Sequence, residues 1–90
     1  MSHLSQDKTK LLTRVRRLKG QIEAIERAIE AEQPCGAVLQ LVASVRGATT
    51  GLTMALIEDQ LRHHILDEQN ETQRQQDGED LIAVLRTYLK

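Results

Sequence analysis

Residues 35–64 read CGAVLQLVASVRGATTGLTMALIEDQLRHH, with a cysteine at the start and two histidines at the end. Apolar or small side chains recur at spacings of three and four, which is typical of one long helix that carries a seam for another helix. The seam consists of Cys35, Val38, Val42, Val45, Thr49, Leu52 and Leu56. Cys35 and His64 would lie about 40 Å apart along such a helix. The two can therefore act together only across an interface between two subunits.

The sequence around this stretch predicts two further helices in a single domain covering residues 1–90. Residues 5–31 repeat apolar side chains in a heptad pattern and predict helix 1. Pro34 suits the first turn of helix 2, which we expect over residues 34–66. Residues 67–79 are polar and unpatterned and predict a linker, and residues 80–89 predict a short amphipathic helix 3. The predicted fold class is all-α, with helices 1 and 2 long and antiparallel.

The length of helix 2 predicts that the chain oligomerises. A compact monomer of 90 residues has a radius of gyration of about 12 Å. A helix of roughly 40 Å would protrude from it with its apolar seam bare. A short turn at residues 32–34 makes helices 1 and 2 an antiparallel hairpin, in which facing residue numbers sum to about 67.

A twofold axis near Thr49 and Thr50 would bring Cys35 of one chain opposite His64 of the other. This geometry requires two copies of helix 2 to pack antiparallel. The small residues from Gly47 to Gly51 would permit close contact at that axis. The ligand spacing and the glycine patch thus agree on one antiparallel dimer.

Charge is distributed unevenly along the chain. Residues 1–19 contain six basic residues and one acid, whereas residues 20–90 contain six basic residues and twelve acids. The N-terminal part is therefore a candidate surface for anions such as DNA, although a solvated helix flank is the alternative. Lys10, Arg14 and Arg17 form a stripe at helical spacing. Neighbouring basic residues broaden it: Lys8, Arg16 and Lys19.

Cys35 and His64 are the main candidate ligands for a metal ion. Cys35 lies close to a helix N-terminus, where the helix dipole favours thiolate. His3 would face His64 in the hairpin, and removal of Met1 would expose the amine of Ser2. One sulfur with imidazoles suits nickel, cobalt or zinc, whereas Cu(I) usually requires more thiolate.

Two neighbours of His64 are secondary candidates. His63 lies about 100° around the helix from His64 and is the weaker ligand. Gln60, one turn before His64, can hydrogen-bond to a ligand but is a poor ligand itself. The alternative for this region is that both histidines are solvated at a fraying helix end and that Cys35 is merely half-buried.

Four motifs resemble the CsoR/RcnR/FrmR family of bacterial transcriptional repressors, and most closely its RcnR and FrmR branches. They are RVRRLKGQ at residues 14–21, Cys35 after the turn, VRGA at residues 45–48 followed by Gly51-Leu52, and LRTYLK at residues 85–90. The resemblance implies a three-helix subunit, an antiparallel dimer and a tetramer built from two dimers. It also implies binding to operator DNA and an inducer site shared between subunits.

Residue roles follow from the resemblance position by position. Cys35 matches the inducer-site cysteine, and His64 matches a ligand of the nickel and cobalt branch, as do Ser2 and His3. Basic positions implicated in operator binding are matched by Arg14 and Arg17. Gln60 departs from the pattern, because most branches carry histidine there.

The expected function is a repressor that releases its operator when a small inducer binds, which would derepress efflux or detoxification genes. Nickel or cobalt is preferred as the inducer, with zinc and copper as alternatives. A second hypothesis is covalent chemistry at Cys35, either formaldehyde bridging to the Ser2 amine or oxidation. A third is a structural helical oligomer without DNA affinity. An enzyme is not expected, because no nucleophile–base motif or phosphate-binding glycine loop is present.

The sequence also predicts where the protein works. A single cysteine excludes an intrachain disulfide and suits a reducing cytosol. No signal peptide or membrane span is visible. We therefore expect a cytoplasmic protein without a membrane partner.

Overall fold

The computed structural model describes residues 8–89 and contains three α-helices: α1 (Lys8–Glu30), α2 (Cys35–Gln60) and α3 (Glu71–Tyr88). A six-residue π-helical turn, Leu61–Leu66, directly follows α2. No strand occurs in this part of the chain. The predicted all-α subunit of three helices is therefore confirmed. None of the helices in residues 8–89 has an apolar stretch long enough to cross a membrane.

The connection between α1 and α2 is a tight helix-ending turn. The Gln33 N–H donates to the Ala28 carbonyl at 2.9 Å, and the Glu32 N–H donates to the Ile29 carbonyl at 3.0 Å. This pair of bonds is the Schellman motif, which satisfies carbonyls that the helix end leaves open. Glu32 occupies the left-handed position of the motif with φ of 54°. Pro34 follows, and its carbonyl accepts from the N–H of Val38. This bond belongs to the first turn of α2, where the sequence places Pro34.

Residues 8–54 form the first of two compact units, an α1–α2 hairpin. An ideal Cβ placed on Gly51 would lie 3.1 Å from Nη1 of Arg14, so these two positions face each other. Their numbers sum to 65, close to the register that the turn predicts. Leu11 is buried, and the half-buried seam residues Leu18 and Ile25 continue the same heptad position.

The other half of the helix 1 seam stays exposed. Val15, Ile22 and Ile29, each seven residues from the next, are 43%, 52% and 60% exposed. Leu11 is the only hydrophobic residue buried within residues 8–89. The chain thus presents much of its apolar surface to the outside.

The described part of the second unit, residues 55–89, contains the end of α2, the π-turn and α3. Here the predicted boundaries are wrong. α3 begins at Glu71 rather than at residue 80, and only residues 67–70 connect it to the π-turn. The segment predicted as a linker is mostly helix.

Polar contacts explain this error. The Asn70 side chain caps α3 by accepting from the Gln73 N–H at 2.9 Å. Side-chain pairs then follow one helical turn apart, Arg74 with Glu71, Gln73 with Asp77 and Gln76 with Asp80. Such pairs stabilise a helix without producing a hydrophobic pattern.

Helix 2 also differs from the prediction near its end. The helical path reaches Leu66, as expected, but α-helical bonding ends at Gln60. The Asp67 N–H donates to the Arg62 carbonyl at 3.0 Å, a bond five residues back that defines the wider π-helical turn. Hydrophobic periodicity over six residues cannot distinguish these two kinds of helix. Turns of this kind occur frequently at functional sites.

Candidate functional site

The basic residues of α1 form a surface, here called the basic stripe, on the first half of that helix. Every member is exposed: Lys8, Lys10, Arg14, Arg16, Arg17 and Lys19. None of them forms an ion pair with another residue in the range 8–89. Their positive charges are therefore not neutralised by neighbouring carboxylates there. Because like charges along a helix repel one another, a polyanion on this surface would relieve an unfavourable arrangement.

Arg14 has a particular relation to α2. Its Nη1 lies where a side chain at position 51 would begin, at 3.1 Å from an ideal Cβ, and Gly51 leaves that space open. One end of the guanidinium therefore lies beside α2 at Gly51.

Cys35 is the first residue of α2 and is exposed with a free thiol. Its place at the start of a helix agrees with the prediction. The suggestion that it is half-buried is wrong. An exposed thiol at a helix N-terminus can reach a metal ion or an electrophile from outside the hairpin.

His64 lies within the π-turn and is buried, with 9% of the residue exposed. Its Nδ1 is 3.5 Å from Oδ2 of Asp77, a residue of α3 whose side chain is 14% exposed. The other carboxylate oxygen, Oδ1, accepts from Nε2 of Gln73 at 2.9 Å. The alternative that the histidines are solvated at a fraying helix end is therefore wrong for His64.

His63 is held differently. Its Nε2 is 3.6 Å from Oδ1 of Asp59, and its Nδ1 is 3.6 Å from Oδ2 of Asp67. Asp59 is almost fully buried at 4% exposure, and the side chain of His63 is 16% exposed. Because a carboxylate faces each ring nitrogen, a metal ion would have to displace one of them. This contact pattern favours His63 as an ion-pair partner.

The acids around the histidines were not predicted from the sequence. The spacing of Asp59, His63 and Asp67 is four residues each way, so a helix through all three would have revealed that pairing. Asp77 could not have been found in this way, since its segment was expected to be a linker. The carboxylate that contacts His64 thus depends on where α3 begins.

Three other predicted positions are Gln60, Ser2 and His3. Gln60 is half-buried and is the last residue of α2, directly before the π-turn. Its role beside a ligand stays a prediction. Ser2 and His3 lie outside the described residues. No group of three or more His, Cys, Asp or Glu side chains in residues 8–89 is spaced to hold a metal ion.

The surroundings of His64 fit a role as a metal ligand. Metal-binding histidines almost always direct their second ring nitrogen to a carboxylate, a backbone carbonyl or water, which fixes the ring and raises its basicity. Asp77 provides such a carboxylate on the Nδ1 side. Cys35 is the candidate sulfur donor of the predicted site, and sulfur with imidazole suits borderline transition metals.

Comparisons with known proteins found one family model and several similar proteins that match most or all of the chain. The family model described as "Metal-sensitive transcriptional repressor" matches residues 7–87. The "Uncharacterized protein in bioA 5'region" of Serratia marcescens is 50% identical over 91 residues, covering 100% of both chains. The transcriptional repressor RcnR of Citrobacter koseri is 38% identical over 90 residues, again covering 100% of both.

A solved structure matches as well. It is a variant of the formaldehyde-responsive regulator FrmR from Salmonella enterica serovar Typhimurium. The TM-score is 0.87 at 43% sequence identity, and the match covers 92% of this chain and 94% of that one.

Proposed function

Because the chain belongs to the family of metal-sensitive transcriptional repressors, which are not enzymes, we propose that it binds operator DNA and releases it when a transition metal ion binds between its subunits. The basic stripe contacts the DNA, and Cys35 of one subunit and His64 of another bind the metal. The observation that carries this proposal is His64, which is buried in the π-turn with a carboxylate at Nδ1. A surface histidine without a role in the protein would not require that arrangement.

The DNA-binding part rests on the exposed, unneutralised charges of α1. The six residues of the basic stripe span about 17 Å along the helix, and each DNA strand carries one phosphate per roughly 3.4 Å of its helix axis. Arg and Lys side chains at this spacing suit phosphate contacts, which position a protein on DNA, while sequence-dependent DNA shape supplies part of the specificity. Operator affinity should therefore fall steeply as salt is raised.

The assembly part rests on the exposed apolar surface. The exposed face of α2 carries an open groove with small or apolar residues and one arginine in its lining: Leu39, Val42, Ala43, Arg46, Gly47 and Thr50. Burying a Leu or Val side chain contributes about 1.5–3 kcal/mol, so a second chain against this face would supply much of the stability that the subunit lacks. We propose an antiparallel dimer with its axis near Thr49 and Thr50, and a tetramer of two such dimers.

The donor set supports nickel or cobalt as the inducer. One thiolate from Cys35 and imidazole from His64, with His3 and the Ser2 amine as further donors, form a mixed nitrogen and sulfur site for borderline ions. Zinc and copper are the alternatives. Gln60 next to this site offers an amide instead of another strong donor, which should lower the affinity for every one of these metals.

We propose that release of DNA depends on the position of Arg14 beside Gly51 of α2. Metal bound at Cys35 and His64 would join two subunits and shift α2 in one relative to the other. Since Arg14 lies against α2 at Gly51, such a shift moves a member of the basic stripe away from its phosphate. Couplings of this kind typically amount to about 1–3 kcal/mol, or roughly 5–150-fold in DNA affinity.

The test is a titration of labelled promoter DNA, followed by fluorescence anisotropy, with and without Ni(II) or Co(II). We expect metal to weaken DNA binding by roughly 5–150-fold and a thiolate-to-metal absorption band to appear in the wild type. Cys35→Ala should lose both effects while still binding DNA. Arg14→Ala should weaken DNA binding without metal and reduce the salt slope by about one, whereas Arg27→Ala, outside the basic stripe on the same helix, should not. A wild-type DNA affinity that does not change when Ni(II) or Co(II) is added would contradict the proposal.

A second candidate function is a response to formaldehyde, which is favoured by the similarity to FrmR and by the exposed Cys35 thiol. The aldehyde carbon would become a methylene bridge between the Cys35 sulfur and the Ser2 amine, and the aldehyde oxygen would leave as water. Intact-protein mass spectrometry after formaldehyde treatment should then show one added carbon. That adduct should be absent from Cys35→Ala.

A further inference from the structure

Asp77 of α3 lies against His64 of the π-turn, with Oδ2 3.5 Å from Nδ1. We propose that Asp77 is a positioning residue of the metal site, which fixes His64 so that Nε2 is the nitrogen that binds the metal ion. This inference rests on the proposed function, because it concerns how one ligand of the inducer site is oriented. It adds α3, which supplies no ligand, to the parts of the chain that determine metal affinity.

The Asp77 carboxylate is itself held in place by its own helix. Its Oδ1 accepts from Nε2 of Gln73 at 2.9 Å, and the backbone N–H of Gln73 donates to Oδ1 of Asn70, the N-cap of α3. A continuous series of contacts therefore runs from the start of α3 to the imidazole. The side chains of Asp77 and His64 are 14% and 11% exposed, so little water competes for this contact. An electrostatic interaction is stronger in such surroundings than at the surface.

The chemistry of the two groups determines the orientation of the proton. A neutral imidazole carries one N–H donor and one lone pair, and an ionised carboxylate can only accept. With the carboxylate of Asp77 at Nδ1, the hydrogen belongs on Nδ1 and the lone pair on Nε2. The distance of 3.5 Å is a few tenths of an ångström longer than an ordinary hydrogen bond. A metal ion at Nε2 would withdraw electron density from the ring and make the Nδ1 hydrogen a better donor, which would shorten this contact.

His63 provides an internal comparison. A carboxylate lies 3.6 Å from each of its ring nitrogens, one from Asp59 and one from Asp67. The two adjacent histidines therefore have different acidic partners on different elements. The contact with Asp77 would make His64 the histidine that binds the metal ion, through Nε2.

The first test compares Asp77→Asn with Asp80→Asn in the full chain. Asp80 lies on the same helix, is exposed and accepts from Nε2 of Gln76 at 2.9 Å, so it is a matched control for charge and helix content. Affinities for Ni(II) and Co(II) are measured by competition with a chelator and by the thiolate absorption band. Loss of such a partner typically lowers metal affinity by about 10–100-fold. We expect that loss for Asp77→Asn, none for Asp80→Asn, and partial recovery for Asp77→Glu.

The second test needs no metal. Nitrogen–proton NMR of the metal-free wild type should show the His64 hydrogen on Nδ1, and Asp77→Asn should shift the ring toward the form with hydrogen on Nε2. A purely structural role of Asp77 would not change this signal. If Asp77→Asn does not fold, Gln73→Ala serves instead, since it loosens the carboxylate without removing it and should weaken metal binding several-fold.

The outcomes separate the two proposals. If Cys35→Ala abolishes metal binding but Asp77→Asn binds as the wild type does, the role of Asp77 is wrong and the proposed function stands. If the wild type binds no metal, the proposed function fails, and this inference about the metal site fails with it. A wild-type His64 with its hydrogen on Nε2 would overturn the assignment of the ligating nitrogen in either case.

Discussion

The α1–α2 hairpin of residues 8–54 and the segment of residues 55–89 are stabilised by different interactions. The hairpin is built on heptad repeats, yet half of the α1 seam is exposed at Val15, Ile22 and Ile29. The segment 55–89 instead holds its two histidines with carboxylates and begins α3 with a side-chain cap. The first region thus requires a partner for its apolar surface, while the second is organised by polar contacts within one chain.

This difference separates two tasks within 90 residues. An apolar seam can be buried by a second copy of the same chain, and it tolerates small relative shifts because dispersion contacts have little directional preference. A ligand for a metal ion must be held in one orientation, which requires directional contacts. His64, the proposed metal ligand, therefore lies in the polar region, and the surface proposed to respond to metal binding lies in the apolar one.

The largest expected effect comes from placing a charge on the apolar face of α2. Val42→Glu would put a carboxylate into the proposed subunit interface, where burying a charge costs several kcal/mol even with Arg46 one helical turn away. We expect the oligomer to dissociate and most of the folded structure to be lost with it. Analytical ultracentrifugation and far-UV circular dichroism measure the two consequences.

The control for this variant is Gln40→Glu, which adds the same charge to an exposed polar position on the same helix. It should leave the oligomer intact. A Val42→Glu chain that sediments as the wild type does would show that this face of α2 is not the interface, and the hairpin would then need another explanation for its exposed seam.

A smaller effect is expected where the polar region begins α3. Asn70→Ala removes the side chain that accepts from the Gln73 N–H, and loss of such an N-cap typically costs about 1 kcal/mol. The midpoint of thermal unfolding should fall by about 4–8 °C, measured at a fixed protein concentration. Asn70→Ser, which keeps a capping oxygen, should lie close to the wild type. An unchanged midpoint for Asn70→Ala would mean that the start of α3 does not depend on its cap.

The smallest effect should be a gain in stability at the turn of the hairpin. Glu32 has φ of 54°, a conformation that costs a residue with a side chain about 1 kcal/mol or more and that glycine adopts freely. Glycine loses more entropy on folding, which offsets part of this gain. Glu32→Gly should therefore stabilise the protein by about 0.5 kcal/mol. Urea unfolding at fixed protein concentration measures the change. Gln33→Gly, one residue later, should destabilise or be neutral, and a loss of stability in Glu32→Gly would contradict the account of the turn.

Much of the hairpin could be predicted from the sequence, because its helices follow heptad repeats and Pro34 marks the start of α2. The register was predictable too, since a short turn fixes which positions face each other, and Arg14 does face Gly51. What could not be predicted is the part that polar side chains determine. The first half of α3 lacks an apolar pattern, and six residues are too few for periodicity to reveal a π-turn.

Some features of the candidate site could likewise be predicted from the sequence, and others could not. Cys35 and His64 were identified as candidates from residue type and position, but the burial of His64 and its contact with Asp77 depend on where α3 starts. The exposure of Cys35 rules out the alternative that it is half-buried, although helix position alone does not determine which neighbours cover a side chain. The pairing of Cys35 with His64 of a second chain stays a prediction, as do the roles of His3 and the Ser2 amine.

The sparse core of the chain also has a consequence for the rate of folding. Since Leu11 is the only hydrophobic residue buried within residues 8–89, a lone chain gains little by closing its hairpin, and most apolar burial would come when two chains meet. Folding would then be a second-order reaction whose half-time shortens as the protein is concentrated. A newly made chain would stay incompletely folded until it associates with a second chain. The amount of folded repressor would therefore rise more steeply than the amount of protein made.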